Sequence, residues 1–205
     1  NSVNNLVAET KPQVVCHLAA QAGVRYSIEF PQTYVDNNIT ATINLLEACQ
    51  SNNIDDFVFA STSSVYGLSE DTPFTEDTPI DSTISTYSST KRACELLCHT
   101  YNNLYGIKFK ILRFFTVYGP WGRPDMALFL FSKAILAGEP IKVFNEGIMQ
   151  RDFTYVDDIV NGFCLAIKSD FDFEIFNLGR GKTTNLLDFI SLIEECLGKK
   201  ADKIM

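Results

Sequence analysis

The sequence lacks several features that identify whole classes of protein. No apolar run approaches the roughly 20 residues that a membrane helix needs, because Lys, Asp or Gly interrupts each candidate. Residues 1–5 contain neither the basic nor the apolar segment of a secretory signal. The net charge of the 205 residues is −8, which argues against a nucleic-acid partner. A phosphate-bearing small ligand is compatible with this charge, because a few well-placed arginines suffice to bind it.

The cysteines form no recognisable metal-binding or redox motif. None lies in a CxxC pair, and Cys94 and Cys98 are four residues apart within a helical pattern. We therefore expect no metal site, and interpret the cysteines as buried, reduced thiols of a cytoplasmic protein rather than as disulfides or zinc ligands. They occupy positions 16, 49, 94, 98, 164 and 196.

What is present is a regular alternation of apolar segments. Apolar residues make up 46% of the chain and aromatic residues 12%, as in ordinary globular domains. Short apolar runs alternate with longer segments of helical periodicity, which predicts an α/β fold with a doubly wound parallel sheet. We predict strands at residues 13–18, 57–60, 109–115, 141–144 and 174–178, and helices at about 34–52, 86–105, 125–137, 156–167 and 186–197.

Tyr87 and Lys91 provide the first indication of chemistry. They stand four residues apart at the start of the long predicted helix, so both side chains project from one helix face. A free tyrosine, with a pKa near 10, is a poor base at neutral pH. A neighbouring ammonium and the helix N-terminus both favour the phenolate and lower that pKa. The pair could therefore act as a general base, although the same spacing is common on helix surfaces.

A cluster of hydroxyl residues, Ser61 to Ser64, ends the strand that precedes this helix. Ligands of open α/β sheets bind at the carboxyl ends of the strands. Thr62 is therefore placed to pass a proton between a substrate and Tyr87. The alternative is that the cluster only forms a turn and a cap.

The chain resembles the extended short-chain dehydrogenases/reductases, the NAD-dependent epimerase/dehydratase family, because five sequence motifs occur along it in the order seen in that family. More narrowly, residues 20–27 (AQAGVRYS) and 116–126 (TVYGPWGRPDM) resemble the UDP-glucuronate 4-epimerases. The resemblance covers essentially the whole chain. The five motifs are HLAA at 17–20, STSSVYG at 61–67, YSSTK at 87–91, LRFFTVYGP at 112–120 and RDFTYVDD at 151–158.

The resemblance implies a role for each matching residue. Tyr87 is the catalytic base, Lys91 lowers its pKa and binds the nicotinamide ribose, and Thr62 assists proton transfer. Arg151 binds the diphosphate of a nucleotide sugar, and Thr116 and Arg123 hold a uronate carboxylate. Arg25 is a further candidate for the substrate pocket; for Arg25 and Arg123 the alternative is a solvated surface charge. The residues expected to line the NAD site are Leu18, Ala19, Ala20, Asn38, Tyr87, Lys91 and Phe114.

The residues after Thr62 bear on the type of reaction. Related dehydratases and decarboxylases resemble this fold but place carboxylates in this turn, whereas this chain has Ser63 and Ser64. The resemblance therefore implies C4 epimerisation through a 4-keto intermediate, with a UDP-sugar substrate such as UDP-glucuronate. The NAD ends the reaction as it began, and is therefore tightly held rather than consumed.

 The alternatives are another nucleotide-sugar epimerase or reductase of the same superfamily, and a catalytically inactive protein that senses a nucleotide sugar or NAD.

One part of the family pattern is absent from these residues. No GxGxxG turn connects a strand to a helix, and we interpret Gly179-Arg180-Gly181, which follows a strand, as an ordinary turn. The resemblance implies a Rossmann-like fold truncated at the N-terminus. Residues 1–118 would form the C-terminal part of the NAD-binding domain, and 119–205 an incomplete substrate-binding region interleaved with the last sheet elements. We expect the 205 residues alone to be inactive.

The resemblance also implies a homodimer. Its interface would pair the helix that contains Tyr87 with the helix near residues 34–52. Leu96, Leu97 and Ile43 are candidates for the outward faces of these helices, although the same positions are compatible with the core.

Overall fold

The computed structural model describes residues 2–69 and 72–205, and its elements alternate as the apolar pattern predicts. The helices are α1 (Ser2–Thr10), α2 (Val24–Glu29), α3 (Pro31–Tyr34), α4 (Ala41–Ser51), α5 (Thr86–Tyr105), α6 (Ala127–Ala137), α7 (Val156–Lys168) and α8 (Leu186–Leu197). The strands are β1 (Val15–His17), β2 (Asp56–Thr62), β3 (Lys108–Phe114), β4 (Thr116–Tyr118), β5 (Ile141–Lys142), β6 (Gln150–Arg151), β7 (Phe153–Tyr155), β8 (Phe173–Leu178), β9 (Thr184–Asn185) and β10 (Lys203–Ile204). A π-helical segment, Val35–Thr40, joins α3 to α4, and a 3₁₀ turn, Ser63–Tyr66, follows β2.

A four-stranded parallel sheet forms the centre of the first of two compact units. Its strand order is β1-β2-β3-β8, and every neighbouring pair is parallel. One face carries Phe57, Phe59, Phe109 and Ile111, which pack against α1, α4 and α5. On the other face Val58 and Leu112 pack with Ala166 of α7. Helices therefore cover both faces, and the predicted doubly wound, Rossmann-like α/β fold is confirmed.

The boundaries of α5 follow from its end residues. The Ser85 hydroxyl accepts a hydrogen bond from the Ser88 amide, and the Ser88 side chain accepts one from the Ser85 amide, which is a reciprocal N-terminal cap. Gly106 ends the helix in the left-handed conformation, φ 69°, which a residue without a Cβ adopts at little cost. These signals position Tyr87 in the first turn of α5.

The second unit comprises Phe115–Val160 and Gly179–Met205. Its strands form three two-stranded pairs: β4 with β7 and β5 with β10 are parallel, and β6 with β9 is antiparallel. Phe153 and Phe189 stack at the centre of its apolar core, with ring centroids 4.1 Å apart. The sequence suggested a boundary after residue 118, whereas the structure divides the chain after Phe114 and returns Asn161–Leu178 to the first unit.

The cysteines are all free, but they are not all buried. Cys49, Cys94 and Cys98 lie in the core, whereas Cys16, Cys164 and Cys196 are exposed. The expectation of six buried thiols is therefore wrong for three of them, because Cys16, Cys164 and Cys196 lie on element faces that no described residue covers. Over residues 2–69 and 72–205, none of the helices has the length and apolar character required to cross a membrane.

Candidate active site

The carboxyl ends of three adjacent strands bring several of the candidate residues to one edge of the sheet. Leu18, Ala19 and Ala20 follow β1 directly and are exposed. Thr62 ends β2, and its register partner on β3 is Phe114. The parallel topology therefore places catalytic and cofactor candidates at the edge where open α/β sheets bind ligands.

Lys91 lies deep in this region, on the face of α5 that packs against β2. It is 4% exposed, and its ammonium lies 4.2 Å from the centroid of the Phe59 ring. Burial lowers the pKa of Lys91 to about 8, and the nearby Cys94, Cys98 and Glu95 oppose this change. The protein thus keeps an ammonium where its solvation is poor, and this burial destabilises the charged form.

His17 adds a second ionisable group beside Lys91. The ring is buried, its Nε2 lies 3.0 Å from the Thr42 hydroxyl, and it packs against the Phe57 and Phe59 rings. Burial, together with the charge on Lys91, lowers the pKa of His17 to about 4. His17 is therefore neutral at physiological pH and does not compete with Lys91 as a cation.

Tyr87 is half-buried in the first turn of α5. Its ring meets the Tyr34 ring edge-on, with centroids 6.1 Å apart. Tyr34 is itself held in place, because its hydroxyl donates to the Ala22 and Gly23 carbonyls, at 2.9 and 2.6 Å. The loop that follows β1 therefore holds Tyr34 in place, and Tyr34 packs against the Tyr87 ring.

Asn38 connects that loop to α5 rather than presenting its amide to solvent. It is buried within the π-helical segment, where its Oδ1 accepts from the Gln21 amide at 2.7 Å. Its Nδ2 donates to the Gln21 carbonyl at 3.1 Å and to the Thr90 hydroxyl at 2.9 Å. Direct contact between Asn38 and a cofactor stays a prediction, since these bonds use the amide for internal support.

Thr62 has a local structural role as well as a candidate catalytic one. Its Oγ1 accepts a hydrogen bond from the Ser64 amide at 3.2 Å and caps the 3₁₀ turn, and it lies 3.2 Å from the Ser64 hydroxyl. The cap and turn anticipated for this hydroxyl cluster are therefore present. They fix the position of the Thr62 hydroxyl at the end of the strand and leave a proton-transfer role open.

The substrate-binding candidates are divided between the two units. Arg25 is exposed on α2 in the first unit. Thr116 is half-buried on β4 in the second unit, where its amide donates to the Asp152 carbonyl at 3.0 Å. Arg151 is exposed on β6, and its Nη1 donates to the Gln150 carbonyl at 2.8 Å.

Arg123, the candidate for binding a carboxylate, already binds one. Its Nε donates to Oδ1 of Asp125 at 3.0 Å, and its Nη2 pairs with Oδ2 of the same side chain. This pairing holds the pKa of Asp125 below its ordinary value. A substrate carboxylate at Arg123 would have to share or displace Asp125.

A buried ion pair, whose carboxylate lies one helical turn beyond Lys91 on α5, was not predicted from the sequence. Glu95 and Arg113 are each about 1% exposed and are joined by two hydrogen bonds. Two signals pointed to them: Glu95 continues the four-residue spacing of Tyr87 and Lys91, and Arg113 interrupts an apolar strand. In the described part of the chain, no group of three or more His, Cys, Asp or Glu side chains has the arrangement of a metal site.

Comparisons with known proteins identify the family of the chain. Residues 1–179 match the model of the NAD dependent epimerase/dehydratase family. The chain is 48% identical over 190 residues to a UDP-glucuronate 4-epimerase of Thermodesulfobacterium geofontis, covering 92% of this chain and 58% of that protein. The chain spans between about 58% and 66% of the length of the first curated relatives that it matches.

Two solved structures show the same fold. The UDP-glucuronic acid 4-epimerase from Bacillus cereus, in complex with UDP-glucuronic acid and NAD, is 40% identical with a TM-score of 0.92, covering 100% of this chain and 65% of that one. The UDP-N-acetylglucosamine 4-epimerase from Methanobrevibacter ruminantium M1 is 30% identical with a TM-score of 0.91, covering 100% and 66%.

Proposed function

The chain belongs to the NAD-dependent epimerase/dehydratase family, and we propose that its protein is an NAD-dependent nucleotide-sugar 4-epimerase that interconverts UDP-glucuronate and UDP-galacturonate. The observation that carries the proposal is the position of Tyr87 and Lys91 on α5, which packs against the strand that ends in Thr62. The choice of substrate is supported by similar proteins, one named UDP-glucuronate 4-epimerase and one solved in complex with UDP-glucuronic acid and NAD.

The residues at the sheet edge fit an NAD molecule. Ala19 and Ala20 are exposed after β1, and their small side chains would allow a flat ring to approach the backbone at the carboxyl edge. The Lys91 ammonium, which lies over the Phe59 ring and carries three donors, would bind ribose hydroxyls. A bound NAD would supply the hydride acceptor for C4 of the sugar, and the hydride that reduces the keto sugar on its opposite face.

The protein's own residues would move the proton that accompanies this hydride. Tyr87, as a phenolate stabilised by the Lys91 cation, takes the proton of the C4 hydroxyl, so that a 4-keto sugar forms. The Thr62 hydroxyl orients the sugar oxygen or passes the proton. After the keto sugar turns over in the site, Tyr87 returns the proton to the oxygen. The sugar is therefore isomerised without net oxidation.

The turn after Thr62 favours this outcome over loss of water. Ser63 and Ser64 occupy the 3₁₀ turn and supply hydroxyl and amide groups to its hydrogen bonds. Neither can act as the carboxylic acid that elimination of a hydroxyl group would need. Epimerisation uses only the groups that are present.

The test is direct. The native polypeptide, expressed from its complete reading frame, is incubated with UDP-glucuronate, and the sugar is followed by NMR. We expect UDP-galacturonate to accumulate until the two reach equilibrium. Parallel reactions with UDP-glucose and UDP-N-acetylglucosamine serve as comparison, and we expect slower conversion of both.

A second candidate is a 4-epimerase for an uncharged UDP-sugar, because Arg123 is already paired with Asp125. Faster conversion of UDP-glucose or UDP-N-acetylglucosamine than of UDP-glucuronate would favour it. If none of the sugars is converted although they bind, the protein is a nucleotide-sugar sensor and the epimerase proposal is wrong.

We also propose a homodimer in the cytoplasm. Leu96 is 52% exposed on α5 and suits an interface, whereas Leu97 packs against the core and Ile43 is half-buried. Free thiols are in keeping with a reducing compartment.

Light scattering on the native polypeptide tests the dimer. Leu96→Glu should shift the measured mass towards that of the monomer, and an unchanged mass would contradict this interface.

A further inference from the structure

The catalytic face of α5 continues beyond the two residues that the proposed chemistry uses. Tyr87, Lys91 and Glu95 are spaced four residues apart, and their burial increases along the helix. Tyr87 is half-buried, Lys91 is 4% exposed and Glu95 is 1% exposed. A carboxylate therefore lies one turn below the ammonium, inside the protein.

Glu95 connects α5 to the two central strands. Its carboxylate accepts two hydrogen bonds from Arg113 of β3, Nε to Oε1 at 3.1 Å and Nη2 to Oε2 at 2.9 Å. Arg92, on the same helix, adds a longer contact from Nη1 to Oε2 at 3.3 Å. The hydroxyl of Ser61, the residue directly before Thr62, donates to Oε1 at 2.6 Å. The link between α5 and β2 is thus made one residue away from Thr62.

Arg113 extends the connection to the turn that follows Thr62. Its Nη1 donates to the Tyr66 hydroxyl at 3.0 Å and to the Glu76 carbonyl at 3.2 Å. The Tyr66 hydroxyl in turn donates to Asn177 Oδ1 at 2.6 Å. Burial alone would lower the pKa of Arg113, but the contacts with Glu95 and Tyr66 together raise it above its ordinary value.

An ion pair buried to this degree is a poor way to stabilise a fold. Well-packed apolar side chains of similar volume often stabilise a protein as well or better, because the charges must be desolvated. What the pair adds is direction, since a two-bond arginine–carboxylate contact has one geometry. The apolar neighbours Cys94 and Cys98 provide close packing on the same helix face but no such direction.

We infer that Glu95 and Arg113 are positioning residues, whose buried pair sets where Tyr87 and Lys91 stand along α5 relative to Thr62 at the end of β2. This inference rests on the proposed function. A small slide or rotation of α5 would move the phenol away from the reacting hydroxyl, and a displacement of about 1 Å can cost about 100-fold in rate.

The test replaces the pair by apolar residues of similar size, Glu95→Leu with Arg113→Met, in the native polypeptide. We expect a folded protein that binds UDP-glucuronate with a KM within about twofold of the wild type, while kcat falls at least about tenfold. The acid limb of the kcat–pH profile should move to higher pH, because a displaced Lys91 stabilises the phenolate less. A folded double variant with wild-type kcat and pH profile would overturn the inference.

A second ion pair on the same strands, between a buried lysine and a half-buried aspartate, is the control. Lys110 of β3 is fully buried and donates to Asp56 of β2 at 2.7 Å rather than to α5. Lys110→Met with Asp56→Leu should leave kcat and the pH profile unchanged. An equal loss of kcat in both double variants would mean that any buried charge in this sheet has the effect, and the inference would fail.

Two further measurements keep the result unambiguous. If the first double variant does not fold, Ser61→Ala removes one bond to Glu95 and keeps the pair; we expect a kcat loss of about threefold to tenfold, and no loss would overturn the inference. The wild type is assayed first. Absence of turnover there refutes the proposed function and the inference together, whereas turnover in the wild type that the variants retain refutes the inference alone.

Discussion

The two units hold their candidate residues in different ways. In the first unit Lys91 is buried against Phe59, and Asn38 and Glu95 fasten its helix to neighbouring elements. In the second unit Arg123 and Arg151 are exposed, on a loop and on a two-residue strand. Groups that transfer protons must keep a fixed geometry, whereas groups that select a substrate can exchange partners on a surface. The comparison predicts that substitutions of the buried candidates in the first unit change rate or stability, and that substitutions of the exposed arginines in the second unit change affinity.

The largest effect is expected for Tyr87→Phe, which removes the proton-accepting oxygen and keeps the ring that meets Tyr34. We expect kcat to fall by about 10²- to 10⁴-fold, the usual contribution of general acid–base catalysis. Binding of the nucleotide sugar should stay within about twofold, since the ring is retained. Steady-state kinetics and calorimetric titration measure the two quantities.

Tyr105→Phe is the control for this variant. It makes the same change at the other end of α5, where the Tyr105 ring packs on Tyr101, and it should leave kcat unchanged. A Tyr87→Phe enzyme that retains wild-type turnover would remove Tyr87 from the chemistry.

Lys91→Met should separate activity from stability. A fall in the pKa of Lys91 from 10.5 to about 8 corresponds to about 3 kcal/mol of unfavourable burial of the ammonium. Between about pH 8 and pH 10.5 the Lys91 amine is protonated in the unfolded chain and largely neutral in the folded one. The free energy of unfolding of the wild type therefore rises as the pH increases through this range. We expect the variant to be inactive, more stable than the wild type below pH 8, and to lose this advantage across that window.

Urea unfolding at several pH values, without added cofactor, measures this difference. Lys108→Met is the control, because Lys108 is partly exposed and pairs with the exposed Asp170, where little stability is at stake. A Lys91→Met protein that is less stable than the wild type at pH 7 would contradict the cost of burying the cation.

The first unit was also easier to predict from sequence than the second. The predicted range of α5 matches the observed Thr86–Tyr105, since Ser85 and Gly106 are strong end signals. In contrast β4, β6, β7, β9 and β10 were not predicted, because strands of two or three residues are too short to show periodicity. The strand predicted at 141–144 in the second unit is shorter in the structure, Ile141–Lys142.

The same contrast holds for the site. Tyr87, Lys91 and Thr62 could be named because each stands at a recognisable position, in the first turn of a helix or at the end of a strand. The buried contacts that hold their helix against the sheet and the neighbouring loop could not be named. Contacts such as Asn38 with Thr90 or Arg113 with Glu95 join residues 52 and 18 positions apart, and only the packing of the elements reveals them.

Arg123→Gln tests the second unit. The loss of a two-bond contact to a charged group corresponds to a KM for UDP-glucuronate that rises about 10- to 100-fold. The free energy of unfolding should change by no more than about 0.5 kcal/mol, because Arg123 and Asp125 are both exposed.

Asp125→Asn is the counterpart, and it frees Arg123 from its internal partner. We expect the KM for UDP-glucuronate to fall while that for UDP-glucose stays constant. If Arg123→Gln leaves the KM for UDP-glucuronate unchanged, Arg123 is a surface charge and does not select the acidic sugar.

The smallest effect is expected at Glu194 of α8, one of the few buried charges of the second unit. Lys200, Lys203 and the Ala201 amide donate to its carboxylate and lower its pKa to about 2. A carboxyl whose folded pKa is depressed contributes stability above its ordinary pKa of 4.5, and this contribution is lost as the pH falls towards 2. The gap in urea midpoint between the wild type and Glu194→Gln should therefore narrow as the pH is lowered from 5 to 3. Glu195→Gln, at the exposed neighbouring position, should show no such narrowing. A difference in urea midpoint that stays constant between pH 5 and pH 3 would mean that Lys200, Lys203 and the Ala201 amide do not stabilise the Glu194 carboxylate in solution.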